Sequence, residues 1–270
     1  MAKAASKEVT PEEERIEALQ TTLSASRLNC FLSCRLRFFF RYVQQIQKPK
    51  TPALHLGSAV HSVLKAWNKA RWRMQPLSLK QLHDEYAKAW SDSSEGEVHW
   101  EPGEEAEDQK TGWRLVETDI RESNIPETLK PDAVEVPVEA NLGHHGLPTL
   151  IGVLDLVQAG VIIDYKTSGQ TPNPEKAAHL YEIQTSGYAV LYREATGKKE
   201  QGIEIHTLVK LKTPRLVISR MPPMSDQQQT KLFRIMESYV EGLRRRDWVP
   251  SPGMQCSSCE YFDQCRAWEG

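Results

Sequence analysis

The stretch LIGVLDLVQAGVIIDYKTSG, residues 150–169, decides the fold of this 270-residue chain. Two apolar runs flank Ala159-Gly160, a pattern that is typical of two antiparallel strands joined by a two-residue turn. If these two residues form the turn, Gln158 pairs with Val161, and every pair further from the turn follows from that one. The stretch therefore predicts a β-hairpin whose register is set by its turn.

The predicted register brings two carboxylates together. Counting outward from the turn places Asp155 directly opposite Asp164, with Cβ atoms about 4.5–5.5 Å apart on one face. Lys166 lies two residues beyond Asp164, and the two-residue period of a strand places it on the same face. Two acids so close among Val, Ile and Leu are unfavourable unless a cation lies between them.

A divalent cation, Mg²⁺ or Mn²⁺, suits this pair because both ions bind carboxylate oxygens and keep open water positions. Such an ion would activate a water and screen a phosphate, while Lys166 would orient that water or stabilise the developing negative charge. The alternative is a solvent-facing hairpin that carries only an Asp–Lys ion pair. A one-residue change in the turn would also remove the carboxylate pair.

The rest of the chain alternates between helical and extended patterns. Apolar spacing and caps predict helices over residues 24–43, 55–72, 78–90, 112–123, 174–195 and 225–246. Alternating or β-branched runs predict strands over residues 133–140, 149–157, 161–166 and 202–211. This order predicts an α/β fold, a sheet flanked by helices.

The predicted organisation has four parts. Residues 1–20 are polar and acidic and are expected to form a frayed or disordered arm. A basic helical subdomain over residues 21–130 precedes the α/β core over residues 131–250. Residues 251–270 form a C-terminal segment with three of the five cysteines.

Positive charge is concentrated in the first third of the chain, although the net charge is only −2. Residues 18–83 contain no Asp or Glu. Their basic residues are Arg27, Arg35, Arg37, Arg41, Lys48, Lys50, Lys65, Lys69, Arg71, Arg73 and Lys80. Such segregation is consistent with a polyanionic partner on one lobe, and equally with solvated helix faces.

Asp155, Asp164, Tyr165 and Lys166 resemble the core of the PD-(D/E)XK nuclease superfamily, and in particular its RecB-like exonuclease branch. That branch has an upstream Gly-x-x-x-His helix, which Gly57 to His61 match. It also has a downstream Gln-x-x-x-Tyr helix, which Gln184 and Tyr188 match. These two residues are four apart and would share one helix face.

The resemblance implies a restriction-endonuclease-like mixed central sheet and assigns roles. His61, Asp155, Asp164 and the Tyr165 carbonyl would bind Mg²⁺ or Mn²⁺. Lys166 would assist catalysis, supported by Gln184 and Tyr188. The implied partner is DNA, single-stranded or at ends, in recombination, repair or CRISPR adaptation. A helicase or a CRISPR adaptation complex is the partner protein implied, because no nucleotide-binding GKS or GKT loop is present.

The cysteines predict a second metal centre. Cys256, Cys259 and Cys265 lie in one short segment, and Cys34 is the expected fourth ligand, more than 200 residues away. Four thiolates suit either Zn²⁺ or an iron–sulfur cluster. Cys30, one helical turn before Cys34, leaves the fourth ligand open.

The cysteine spacing resembles that of AddB-type and CRISPR-associated RecB-like nucleases. That resemblance implies a 4Fe–4S cluster which joins the N- and C-terminal regions. The family's usual Cys-Pro is Cys34-Arg35 here, which departs from the pattern.

These observations predict a metal-dependent DNA exonuclease. The alternatives are a DNA-binding module that does not cut and a structural protein stabilised by zinc. No apolar run is long enough to cross a membrane and no signal-peptide core is present, so the expected location is cytoplasmic.

Overall fold

The computed structural model describes residues 10–92, 94 and 96–270. The helices are α1 (Pro11–Thr21), α2 (Ala25–Ser33), α3 (Arg35–Phe38), α4 (Pro52–Trp72), α5 (Leu79–Trp90), α6 (Glu104–Glu122), α7 (Pro174–Leu180), α8 (Glu182–Thr196), α9 (Asp226–Arg244) and α10 (Phe262–Arg266). The strands are β1 (Thr22–Leu23), β2 (Ala133–Ala140), β3 (Thr149–Gln158), β4 (Val161–Ser168), β5 (Gly202–Val209) and β6 (Arg215–Met221).

The strands form one mixed sheet in the order β1-β3-β4-β5-β6, and β2 pairs with β3 outside that path. Strands β3 and β4 are antiparallel, β4 and β5 are parallel, and β5 and β6 are antiparallel. The predicted α/β class and mixed sheet are therefore confirmed. None of the helices in the described residues is both long and apolar enough to span a bilayer.

The hairpin between β3 and β4 has the predicted turn and register. Gln158 pairs with Val161, and the next two pairs outward follow in step. Ala159 and Gly160 both have positive φ, 51° and 74°, as a primed two-residue turn requires. The Gly160 backbone N–H donates to Asp132 Oδ2 at 2.8 Å, which anchors the turn.

The chain divides into two compact units that are discontinuous in sequence. The first comprises the chain up to Lys48, Glu139–Ile151 and Asp226–Gly270. The second comprises Pro49–Val138 and Gly152–Ser225. The helices of residues 21–130, which the sequence grouped as one subdomain, are thus shared between the two units.

The second unit has an apolar core between helices and sheet. Residues of α4, α5 and α6 pack in one buried cluster with strand residues that include Leu156, Ile163 and Leu208. His55 and Trp90 hold α4 and α5 together, because a His55 ring nitrogen lies 2.9 Å from the Trp90 carbonyl. This packing positions one face of α4 relative to β3 and β4.

Two predicted helices are interrupted. The helix expected over residues 24–43 breaks at Cys34, whose backbone is extended and whose Sγ accepts from the Arg37 N–H at 3.5 Å. A π-helical segment, Phe39–Val43, follows α3. The helix expected over residues 174–195 breaks at Tyr181, between α7 and α8. Apolar periodicity continues across both breaks, so it could not reveal them.

Part of the predicted N-terminal arm is a packed helix. Thr10 and Glu13 form a reciprocal capping box at the start of α1, and Ile16 and Leu19 are buried. Residues 1–9 lie outside the described residues. Strands β1 and β6 and the first two turns of α6 were not predicted; β1 and β6 are short or edge elements whose pairing depends on neighbours distant in sequence.

Helices α2 and α9 of the first unit approach closely at Gly242. A Cβ atom at this position would lie 2.4 Å from the Phe31 ring. That ring is fixed by edge contacts with Phe38 and Tyr239, at centroid distances of 5.5 and 5.2 Å. The contact therefore leaves no room for a side chain.

We expect Gly242→Ala to lower the free energy of unfolding by about 1–3 kcal/mol, because an added methyl overpacks this contact. Gly169→Ala is the matched control, since a Cβ there would meet nothing within 4 Å, and its effect should stay within about 0.5 kcal/mol. Denaturant titration of both variants measures the difference. Equal stability of the two variants would contradict the close approach.

Candidate active site

Two buried carboxylates form the centre of the candidate site in the second unit. Asp155 comes from β3 and Asp164 from β4, with side chains 14% and 2% exposed. The hairpin register places them on adjacent strands, and the Tyr165 backbone N–H donates to Asp155 Oδ2 at 3.2 Å. The predicted carboxylate pair is therefore present at the end of the hairpin ladder.

Asp164 is held by three polar side chains. Lys166 Nζ lies 2.7 Å from its Oδ2. Gln184 Nε2 and the Tyr188 hydroxyl each lie 3.2 Å from its Oδ1 and donate to it. Gln184 Nε2 also donates to the Tyr188 hydroxyl at 2.8 Å, so the two residues of α8 act on the carboxylate together.

Asp155 has weaker compensation. His61 of α4 approaches with Nδ1 at 3.6 Å from Asp155 Oδ2, beyond hydrogen-bond distance. Burial raises the pKa of Asp155 to about 6, and the negative charge of Asp164 acts in the same direction. His61 and the Tyr165 N–H lower the pKa, but not enough to offset the other two effects. Asp155 is thus the acid whose charge is least satisfied.

The tyrosines of the site have separate environments. The Tyr165 side chain is buried, and its hydroxyl accepts from Asn68 Nδ2 at 3.0 Å. Burial also holds the pKa of Tyr188 far above its usual value, and the charges of Asp164 and Asp155 act in the same direction. Tyr188 is therefore a neutral donor to Asp164 at any physiological pH.

Glu135 and Lys65 adjoin the site and were not predicted. Glu135 lies in β2 with a left-handed backbone, φ 51°, which breaks the alternation of the strand. Its carboxylate is 16% exposed, contacts Lys65 Nζ at 3.1 Å and contributes to the raised pKa of Asp155. Lys65 follows His61 by one turn of α4. That spacing was the available sequence signal, but nothing in the sequence related it to Glu135.

The residues suit a cation in donor type rather than in an assembled ligand shell. Asp155 and Asp164 supply oxygens and His61 a ring nitrogen, and a cation would relieve the repulsion that raises the pKa of Asp155. Within the described residues, however, no group of three or more His, Cys, Asp or Glu side chains is arranged as a metal site.

Four of the five cysteines face one cavity in the first unit. Cys34, Cys256, Cys259 and Cys265 line a space of about 50 Å³. Burial raises the pKa of Cys265, as do the charges of the other three thiols, which reflects their proximity. All five cysteines are free thiols. The four thiols are brought together without forming a ligand group.

Cys30 does not line this cavity. Its side chain is buried, and burial raises the pKa of its thiol to about 11. Arg37 and Glu260 close the cavity region, with Arg37 Nε and a terminal nitrogen donating to Glu260 Oε1 at 3.2 and 3.0 Å. Of the two candidates for the fourth ligand, the geometry selects Cys34.

A family model described as the PD-(D/E)XK nuclease superfamily matches residues 22–266. Among solved structures, a Eubacterium rectale protein whose name suggests an exonuclease superposes with a TM-score of 0.61 and 17% identity. The match covers 98% of this chain and 95% of that one, and it shows a shared fold.

A protein named SSO0001 matches with a TM-score of 0.44 and 12% identity, over 95% and 94% of the two chains. This similarity is too low to argue from. No curated protein matches the chain.

We expect Asp155→Asn to stabilise the metal-free protein in a pH-dependent way. The pKa of Asp155 is higher in the folded than in the unfolded state, so its burial costs nothing at pH 4 and its full amount above about pH 6. Relative to wild type, the variant should gain about 1–3 kcal/mol between pH 4 and pH 8. Denaturant titrations in chelator measure the gain.

An equal difference between the two proteins at pH 4 and pH 8 would show that Asp155 is not a buried acid of raised pKa. Asp132→Asn is the comparison variant, because Asp132 is an exposed acid that binds the turn of the same hairpin.

Proposed function

The chain belongs to the PD-(D/E)XK nuclease superfamily, and from that premise we propose that it is a RecB-like, metal-dependent exonuclease that hydrolyses phosphodiester bonds of single-stranded DNA or DNA ends. One observation carries the proposal: Lys166 Nζ lies 2.7 Å from Asp164, beside Asp155, on a hairpin of the family's order. A binding module without activity would not need all three groups.

Asp155, Asp164, His61 and the Tyr165 carbonyl are the proposed metal ligands. When bound, Mg²⁺ or Mn²⁺ supplies a water of lowered pKa and screens the charge of the phosphate. Asp164 keeps its orientation because Gln184 and Tyr188 bind its Oδ1.

Lys166 has the geometry of a catalytic cation. Its side chain is 26% exposed, so the ammonium reaches solvent while it contacts the buried Asp164. From that position it orients the attacking water or stabilises the charge that develops on the phosphate oxygens. Gln184 and Tyr188 act through Asp164 and are positioning residues.

We propose that Cys34, Cys256, Cys259 and Cys265 bind a 4Fe–4S cluster, with Zn²⁺ as the alternative. The shared cavity supports a single bound group among these thiols, and thiolates are the ligands that such clusters take. A cluster at this place would close a loop of more than 200 residues between Cys34 and Cys256, so its role is structural.

The proposed setting is DNA recombination, repair or CRISPR adaptation in the cytoplasm. The chain would act alone or beside a helicase or an adaptation complex. These assignments extend the RecB-like resemblance of the motifs at His61, Asp164 and Gln184 and rest on no structural contact.

We expect Lys166→Ala and Asp164→Ala each to reduce degradation of labelled DNA in Mn²⁺ by about 100-fold or more, because each removes a group that acts on the developing charge. Lys212→Ala, at an exposed lysine after β5, is the control and should retain activity. Single- and double-stranded substrates compared on gels show the preference. Equal degradation by all four proteins would remove the assignment of the site.

We expect the purified protein to be brown and to contain iron and acid-labile sulfide. Cys265→Ser should lose the visible absorbance and the iron, because a cavity ligand is removed. Cys30→Ser should keep both, because Cys30 lies outside the cavity. Colourless protein that contains zinc would refute the iron–sulfur assignment and leave a zinc site.

A further inference from the structure

Helix α4 carries a row of functional groups that begins at the active-site histidine. With 3.6 residues per turn, His61, Lys65, Lys69 and Trp72 lie within about 80° of the helix circumference. They extend about 16 Å along the axis, from the acids of the site to the C-terminal end of the helix. We call Lys65, Lys69 and Trp72 the α4 track.

The structure removes most other cations of the acid-free stretch from consideration. Arg35 pairs with Asp247 and Arg37 with Glu260. Arg71 is buried, and its guanidinium donates to Asn68, Gln158 and the Leu129 carbonyl. These residues stabilise the fold and cannot reach a ligand.

The lysines of the track remain accessible. Lys65 is 41% exposed, and its ammonium is held at the site by Glu135. Lys69 is half-buried along α4, and its ammonium has no carboxylate within 4 Å among the residues that the structure describes. A polyanion that passes the site along α4 would therefore meet one cation in each turn.

Lys69 also faces the groove between α4 and α5. Five charged side chains line that groove: Lys69, Arg73, Asp84, Glu85 and Lys88. Glu85 is neutralised by Lys88 at 2.7 Å, which leaves Asp84 against the two cations of α4. The α4 side of the groove is therefore the side that favours a phosphate.

Trp72 differs from the other aromatic residues of the basic helices. Phe38, Phe39, Phe40 and Trp67 are all buried in the apolar interior of their unit. Trp72 is 47% exposed, and Lys130 Nζ lies 5.0 Å from its ring centroid. A flat, half-exposed ring bordered by a cation is the arrangement on which a nucleic-acid base stacks.

We propose that the α4 track binds single-stranded DNA next to the active site, with Lys65 and Lys69 at backbone phosphates and Trp72 stacked on an unpaired base. The inference rests on the proposed nuclease function and adds to it the form of the substrate. A base inside a duplex is not available to stack on Trp72, so the track selects an unpaired strand.

The test measures binding by fluorescence anisotropy in chelator, so that no divalent cation supports cleavage. The probes are a labelled thymidine oligonucleotide, an abasic strand of equal length and charge, and a uridine oligonucleotide. Trp72→Ala should weaken binding of the thymidine strand roughly 5- to 150-fold and leave binding of the abasic strand unchanged. Trp72→Phe should restore most of the loss.

Lys69→Gln should weaken binding of both DNA strands alike and reduce the salt dependence of log K by about 0.7, the value of one phosphate contact on a single strand. Lys212→Gln, which makes the same change of charge after β5, should leave the salt dependence as in wild type. Together the two signatures separate stacking from phosphate binding.

Equal binding of the thymidine strand by wild type and Trp72→Ala, or equal losses on thymidine and abasic strands, would overturn the stacking role. Tighter binding of uridine than of thymidine would overturn DNA as the partner. Because cleavage plays no part in these measurements, a chain that binds as expected but never cuts DNA would refute the nuclease proposal alone. A chain that cuts DNA while every variant binds as wild type would refute the track alone.

Discussion

The repulsion between two carboxylates that the fold buries side by side is the constraint on which the candidate site depends. Asp164 is almost completely enclosed and carries three compensating contacts, from Lys166, Gln184 and Tyr188. Asp155 receives one backbone N–H and a distant histidine, so the unfavourable energy of the pair falls on it. That division explains why it is the pKa of Asp155 that rises to about 6. Asp164 is fixed in place, whereas Asp155 can gain a proton or a cation.

The features that were predictable from the sequence follow from local geometry. The two-residue turn at Ala159-Gly160 fixes the register, and the period of two then places Asp155, Asp164 and Lys166 without further information. The four-residue spacing in α8 similarly places Gln184 beside Tyr188. Turn length and helical pitch do not depend on the rest of the fold, so these inferences needed no tertiary structure.

The features that were missed depend on contacts between distant segments. Glu135 reaches the site because β2 departs from regular alternation, and Lys65 meets it across 70 residues of chain. The breaks at Cys34 and Tyr181 are invisible to periodicity, because apolar residues keep helical spacing on both sides. Composition likewise gave the cavity thiols no preference between Cys30 and Cys34. Burial decided it, by placing Cys30 in the core.

The segregation of charge shows why composition alone is a weak guide to binding. Arg35 and Arg37 occur in a stretch without acids, yet both pair with acids more than 200 residues later in the chain. Their charges are spent within the fold, and counting them would overstate the affinity for a polyanion. What a ligand meets is the remainder, on α4, and it is arranged by the same helix that presents His61 to Asp155. Substrate binding and metal binding would then share one rigid element, so a strand aligned along α4 is also aligned with the acids.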